Sequence, residues 1–174
     1  ALEVTDDQQI KEAVSNINKL RVTVTYPLLL QVFSDEAKGV ITKDDVLEIM
    51  ELIQSYIFRR QIVVQMTSGH GRIFATLYDR IDKGDRKLYV ESVKAGLQIQ
   101  IGKYRFPSDE EFLRYLLVAD MYNVKGKDYP LLKLENFKRK KEKVGILDSP
   151  PVTIEHVLPQ NLNLSQDWQN ELGD

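Results

Sequence analysis

The sequence contains no cysteine, only two histidines and one tryptophan, and no long hydrophobic run. The absence of cysteine excludes a disulfide scaffold, a thiol nucleophile and any zinc or iron–sulfur site with Cys ligands. The longest apolar runs, such as residues 26–30, are far shorter than the roughly 18 residues of a membrane span. The first ten residues carry three acidic side chains and no basic one, unlike a secretory signal. We therefore expect a cytoplasmic protein with no membrane partner.

The 174 residues suffice for one ordinary domain, or for one domain plus part of another. Lys and Arg number 24 against 26 Asp and Glu, giving a formal net charge of −2. This balance argues against a uniformly basic nucleic-acid binder, although it averages unlike regions. Residues 133–143 sum to +4, whereas residues 153–174 hold four acidic side chains and no Lys or Arg.

Hydrophobic periodicity predicts a mainly α fold, a multi-helix orthogonal bundle. Thr5 and Gln8 have the spacing of a capping box, as do Ser108 and Glu111. Residues 20–25 alternate apolar and polar side chains like a strand. Pro27 followed by an apolar run instead suits a helix with proline in its first turn, and we favour a helix in this region. The predicted helices span about 6–19, 27–38, 43–65, 73–81, 86–97, 109–120 and 130–137.

The character of the sequence changes at residues 145–151, where Gly, Asp, Ser and two consecutive prolines cannot continue a helix. We place a helical domain at 1–144, a linker at 145–152 and a separate segment at 153–174. That segment reads as a short β-prone stretch followed by an irregular Asn-rich one. It is too short to form a core of its own.

The most chemically suggestive pair is Glu155 and His156. An imidazole with a pKa near 6.5 can take a proton from water at neutral pH, and a carboxylate suits a hard divalent cation. On spacing alone, a surface or helix-capping role is the more common outcome for such a pair.

The string Thr-Ile-Glu-His-Val-Leu-Pro-Gln-Asn at 153–161, with Trp168 after it, resembles the opening of the HNH (His-Me finger) nuclease domain of the GmrSD restriction endonuclease family. Earlier segments are similar to the helical region that precedes this nuclease. They are residues 26–30, Phe58-Arg59-Arg60, residues 105–109 (Arg-Phe-Pro-Ser-Asp) and residues 131–136.

The resemblance implies a ββα nuclease fold, of which residues 153–174 would be the truncated first part. It makes His156 the general base and Glu155 a ligand of a divalent metal, Mg²⁺ or Mn²⁺. The implied partner is DNA, cleaved in defence against foreign or modified DNA. It also implies two absent parts of the same protein, an N-terminal nucleotide-hydrolysing domain and the rest of the nuclease, so we expect the chain alone to be inactive.

A basic run precedes the linker, at Lys138, Arg139, Lys140, Lys141 and Lys143. These side chains could contact DNA phosphates, or they could be a solvated helix end where cations are favourable.

Three other basic side chains have structural interpretations. For Arg59 and Arg60 we expect one to pair with a carboxylate at the core edge and the other to face solvent. We expect His70, between two glycines, to lie in a loop. The alternative to a nuclease is a non-catalytic helical module that binds DNA or protein, in which Glu155 and His156 are structural.

Overall fold

The computed structural model describes residues 7–64, 70–139 and 163–172. The chain divides into two compact units, Ala1–Val144 and Gly145–Asp174. The described residues form helices and turns and contain no strand, which confirms the mainly α prediction. The predicted ββα segment falls largely outside the described residues, and the orthogonal arrangement stays a prediction.

Eight α-helices lie within the described ranges. They are α1 (Gln8–Lys19), α2 (Tyr26–Ala37), α3 (Lys43–Val63), α4 (His70–Leu77), α5 (Arg86–Gln98), α6 (Asp109–Leu116), α7 (Asp128–Lys138) and α8 (Gln166–Leu172). Two single 3-10 turns, Tyr78–Arg80 and Gly102–Tyr104, follow α4 and α5. The first seven helices lie close to the predicted ones.

Helix α3 is the centre of the first unit, as its length and apolar stripe predict. The stripe is completely buried along the helix, at Val46, Ile49, Met50, Ile53, Tyr56 and Ile57. Helices α1, α2, α5 and α6 all pack against it. A capping box at Thr42 and Asp45 begins the helix, with the Asp45 carboxylate accepting from the Thr42 backbone N–H at 2.7 Å.

The start of α1 differs from the prediction, because Asp7 and not Thr5 is the N-cap. The Asp7 carboxylate accepts hydrogen bonds from the backbone N–H groups of Gln9 and Ile10, at 2.9 and 3.2 Å. Asp is among the preferred N-cap residues, and the other oxygen of this carboxylate accepts from Lys43 at the start of α3 at 2.9 Å.

The capping box predicted for α6 is half formed. The Ser108 hydroxyl accepts from the backbone N–H of Glu111 at 3.2 Å. The Glu111 side chain binds Arg105 and does not reach back to the cap. The Glu111 carboxylate therefore pairs with the Arg105 guanidinium instead of the Ser108 backbone N–H.

Residues 20–25 form neither a strand nor a helix. They make a turn in which Arg21 has a φ of 54°, and α2 then begins with Pro27 in its first turn, as expected. In the second unit, α8 occupies a stretch that the sequence predicts to be irregular, so that prediction is wrong. Its signals are Ser165 just before the helix and Asp167 in its first turn.

No helix within the described ranges is both long enough and apolar enough to span a membrane.

Candidate functional site

The predicted catalytic pair and most of the basic run, namely Glu155, His156, Lys140, Lys141 and Lys143, lie outside the described residues. Their roles therefore stay predictions. Elsewhere, the described part of the chain contains no group of three or more His, Cys, Asp or Glu side chains that could hold a metal ion.

The first two members of the basic run are described, and both are exposed at the end of α7. Lys138 is the last residue of the helix and Arg139 its C-cap. The Arg139 Nε donates to Glu135 at 2.7 Å, one helical turn earlier, so an acidic neighbour already offsets part of its charge. Cations at a helix C-terminus are also favourable for the helix itself.

The two arginines of the long helix take very different positions. Arg59 pairs with the Asp109 carboxylate at 2.5 Å, which agrees with the expectation that one arginine meets a carboxylate. It also donates to the backbone carbonyl of Pro107 at 3.2 Å. Its guanidinium lies 5.8 Å from the Phe106 ring centre and 5.3 Å from that of Phe112.

Arg60 corrects the second half of that expectation, because it is completely buried and not solvent-facing. Its two terminal nitrogens donate to the Lys103 carbonyl at 2.7 Å and to the Tyr56 hydroxyl at 3.2 Å. The rings of Tyr56 and Tyr104 lie 5.2 and 5.6 Å from the guanidinium carbon. Since a buried charge needs such partners, carbonyl and π-face interactions here stand in for a carboxylate.

Tyr56 links Arg60 to the same turn. Its hydroxyl donates to the Tyr104 carbonyl at 2.6 Å while accepting from Arg60. Burial raises the pKa of Tyr56, and the neighbouring guanidinium opposes that rise. The phenol therefore remains a hydrogen-bond donor throughout the neutral pH range.

Phe58 completes a set of three consecutive contacts. Its ring centre lies 5.6 Å from that of Phe112 on α6 and 5.3 Å from that of Tyr129 on α7. Phe58, Arg59 and Arg60 thus all contact the segment between α5 and α7. The structure brings together two motifs of the family resemblance, Phe-Arg-Arg at 58–60 and Arg-Phe-Pro-Ser-Asp at 105–109.

Sequence reasoning did not predict that these two motifs meet. Roughly 50 residues separate them, and no local pattern predicts such a pairing. The available signal was that both appear in the resemblance to one family.

His70 is the first residue of α4, so the prediction of a loop histidine is wrong. Its side chain is outside what the structure describes.

Helices α6 and α7, and the turn that follows α6, also carry apolar side chains that are exposed. Leu117 is 87% exposed and Phe137 89% exposed. Others nearby in sequence are Leu113, Val118, Leu131 and Leu134.

Residues 106–174 match the family described as GmrSD restriction endonucleases, C-terminal domain. The resemblance to the GmrSD family is confirmed over this range. The match covers about two fifths of the chain and includes Glu155, His156 and the whole basic run. No curated protein and no solved structure matches the chain.

The GmrSD match begins inside the first compact unit. Its start at Phe106 lies between the turn that Arg60 contacts and helix α6. Helices α6 and α7 consequently belong both to the GmrSD match and to the helical unit Ala1–Val144.

Proposed function

We propose that the chain is part of a GmrSD-like endonuclease, which cleaves DNA at a metal-dependent HNH centre in defence against foreign or modified DNA. The match of residues 106–174 to the C-terminal domain of GmrSD restriction endonucleases carries this proposal. The candidate chemistry at Glu155 and His156 falls inside the matched range. Action on intracellular DNA goes with a cytoplasmic location.

In this proposal His156 is the general base that takes a proton from the attacking water. An unperturbed imidazole has a pKa near 6.5 and can therefore accept a proton at physiological pH. Glu155 would hold Mg²⁺ or Mn²⁺, for which a carboxylate oxygen is a suitable donor. The bound cation would polarise the phosphodiester and stabilise the developing negative charge.

The basic run would guide DNA toward this centre. Lys138 and Arg139 are exposed at the C-terminal end of α7, where a phosphate could reach them. The acidic composition of residues 153–174 is suited to a cation and not to a phosphate. The two regions therefore have different tasks in the proposal, and their charges oppose each other.

The decisive experiment measures DNA cleavage by the protein as its gene encodes it, with Mg²⁺ or Mn²⁺ supplied. We expect His156→Ala and Glu155→Gln each to abolish most cleavage, and chelation of the metal to do the same. His70→Ala is the matched control, because it removes the other histidine of the chain and should leave cleavage unchanged. Undiminished cleavage by His156→Ala would overturn the catalytic assignment.

DNA binding is tested separately by titration at low and high salt. A variant with Lys138, Lys140 and Lys141 changed to Ala should bind more weakly and show a shallower salt dependence, since fewer counterions are released. Replacement of Lys83, Lys87 and Lys94, on the α5 side of the molecule, is the control of equal charge. Binding without any cleavage by the natural protein would favour the non-catalytic helical module.

A further inference from the structure

We propose that helices α6 and α7 have no independent core and are held in place by Phe58, Arg59 and Arg60, so that α3 fixes the position of the start of the GmrSD-matched region. We call residues 103–138 the α6–α7 segment, because they run from the turn before α6 to the end of α7. The inference does not depend on nuclease activity.

Helices α6 and α7 bury few of their own side chains. Helix α6 contains no buried residue, and α7 buries only Tyr129 and Pro130. A unit whose own side chains stay largely exposed cannot offset the conformational entropy lost on folding. The beginning of the GmrSD match therefore depends on surfaces supplied by the preceding helices.

The second observation is the geometry of the three contacts. Successive residues of an α-helix point about 100° apart, so Phe58 and Arg60 lie on nearly opposite sides of α3. Arg60 contacts the segment at Lys103 and Tyr104, and Phe58 contacts it at Phe112 and Tyr129. The α6–α7 segment consequently passes around the C-terminal half of α3.

Arg59 lies between these two contacts and bridges the beginning of α6. Its ion pair with Asp109 is weak by itself, because the Asp109 side chain is 83% exposed. The Arg59 side chain is only 22% exposed, since it also lies against two aromatic rings and donates to the Pro107 carbonyl. The planar guanidinium makes these contacts simultaneously, which a lysine ammonium cannot do.

The test is amide hydrogen exchange on the whole chain. We expect Arg59→Ala to speed exchange of the α6 and α7 amides by about tenfold or more while α2 and α5 keep their protection, as local opening requires. Arg59→Lys should give an intermediate increase.

Arg86→Ala is the matched control. Arg86 also pairs with a carboxylate, that of Asp45 at 2.6 Å, but it does so at the opposite end of α3. Its loss should affect the start of α3 and α5 and leave α6 protected.

Unchanged protection of α6 and α7 in both Arg59→Ala and Phe58→Ala would overturn the proposal. If Arg59→Ala loosens the entire chain, Phe112→Leu provides a second test, because it changes only the α6 side of the contact with Phe58. Faster amide exchange confined to α6 and α7 in that variant would support the proposal. Loss of protection across all helices would contradict it.

Discussion

Arg60 donates a 2.7 Å hydrogen bond to the backbone carbonyl of Lys103 from a position with no solvent exposure. Its Nε atom has no hydrogen-bond partner within the described part of the chain. The guanidinium is thus only partly compensated for its loss of water, although its position ties α3 to the turn before Phe106.

We expect Arg60→Lys to destabilise the protein more than Arg60→Met. Lysine keeps a buried charge but presents a compact ammonium that cannot reach the Lys103 carbonyl and the Tyr56 hydroxyl together. Methionine keeps much of the volume and removes the charge, at a cost of about 1–2 kcal/mol for the lost hydrogen bonds. Urea unfolding of both variants measures the order, and a lysine variant as stable as the native protein would contradict it.

A second buried charge, the Asp35 carboxylate, is held by two phenols. Asp35 is 4% exposed, and its Oδ2 accepts from the hydroxyls of Tyr89 and Tyr78 at 2.8 and 2.9 Å. Burial and the Asp35 carboxylate together raise the pKa of both tyrosines, so each stays a donor. The three side chains join α2 to α5 and to the turn after α4.

Tyr89→Phe should cost about 1–3 kcal/mol of unfolding free energy, because it leaves a buried carboxylate short of one donor. Tyr78→Phe should cost less, since Tyr78 is only partly buried and water can replace its hydroxyl. Denaturant unfolding of the two single variants provides the comparison, each being the other's control. Equal losses of unfolding free energy in the two variants would show that the burial of the tyrosine does not determine the cost of removing its hydroxyl.

The helices could be predicted from the sequence because their signals are local. Apolar spacing and the caps at Thr42 and Ser108 lie within a few residues of the structure they determine. The burial of Arg60 could not be predicted, since arginine is usually exposed and the carbonyl it binds is 43 positions away.

The candidate site likewise has one part with a local sequence signal and one part that depends on long-range packing. Glu155 and His156 lie in a short sequence motif, and the family match includes that motif without testing the roles of the two residues. The contact between residues 58–60 and 105–109 depends on how α3 and α6 pack, which no short motif encodes.

The buried phenol of Tyr129 makes the stability of the protein change with pH in the alkaline range. Burial, with a smaller contribution from Glu51, raises the pKa of Tyr129 to about 12. Because the folded state holds this proton more tightly than the unfolded chain, the stabilisation is complete below the unfolded pKa of about 10 and is lost as the pH rises toward 12. The free energy involved is about 3 kcal/mol.

We therefore expect the unfolding free energy to fall between pH 10 and 12, and to fall less steeply in Tyr129→Phe. Tyrosinate absorbance in the folded protein should show one fewer late-titrating phenol in that variant. An unchanged slope would mean that Tyr129 titrates normally.

Gly126 offers a sharper test of how the turn before α7 meets α1. Its φ is +77°, and a Cβ there would lie 2.6 Å from the Lys19 carbonyl oxygen and 3.0 Å from the Leu20 Cα. Both obstructing atoms belong to the backbone, so they cannot move aside as a side chain would. Gly39 has a similar φ of +74° but no atom within 4 Å of the corresponding Cβ position.

Gly39→Ala should therefore reduce the unfolding free energy only by the cost of placing alanine in the left-handed conformation, about 1 kcal/mol. Gly126→Ala should reduce the unfolding free energy by that amount and also disrupt the contact between the turn and the end of α1. We expect its total loss of unfolding free energy to be well above about 2 kcal/mol. Thermal or urea unfolding of the two variants isolates the steric part, because the backbone penalty is common to both. Equal destabilisation would mean that the turn is free to withdraw from Lys19, and that α7 does not depend on this close approach for its position.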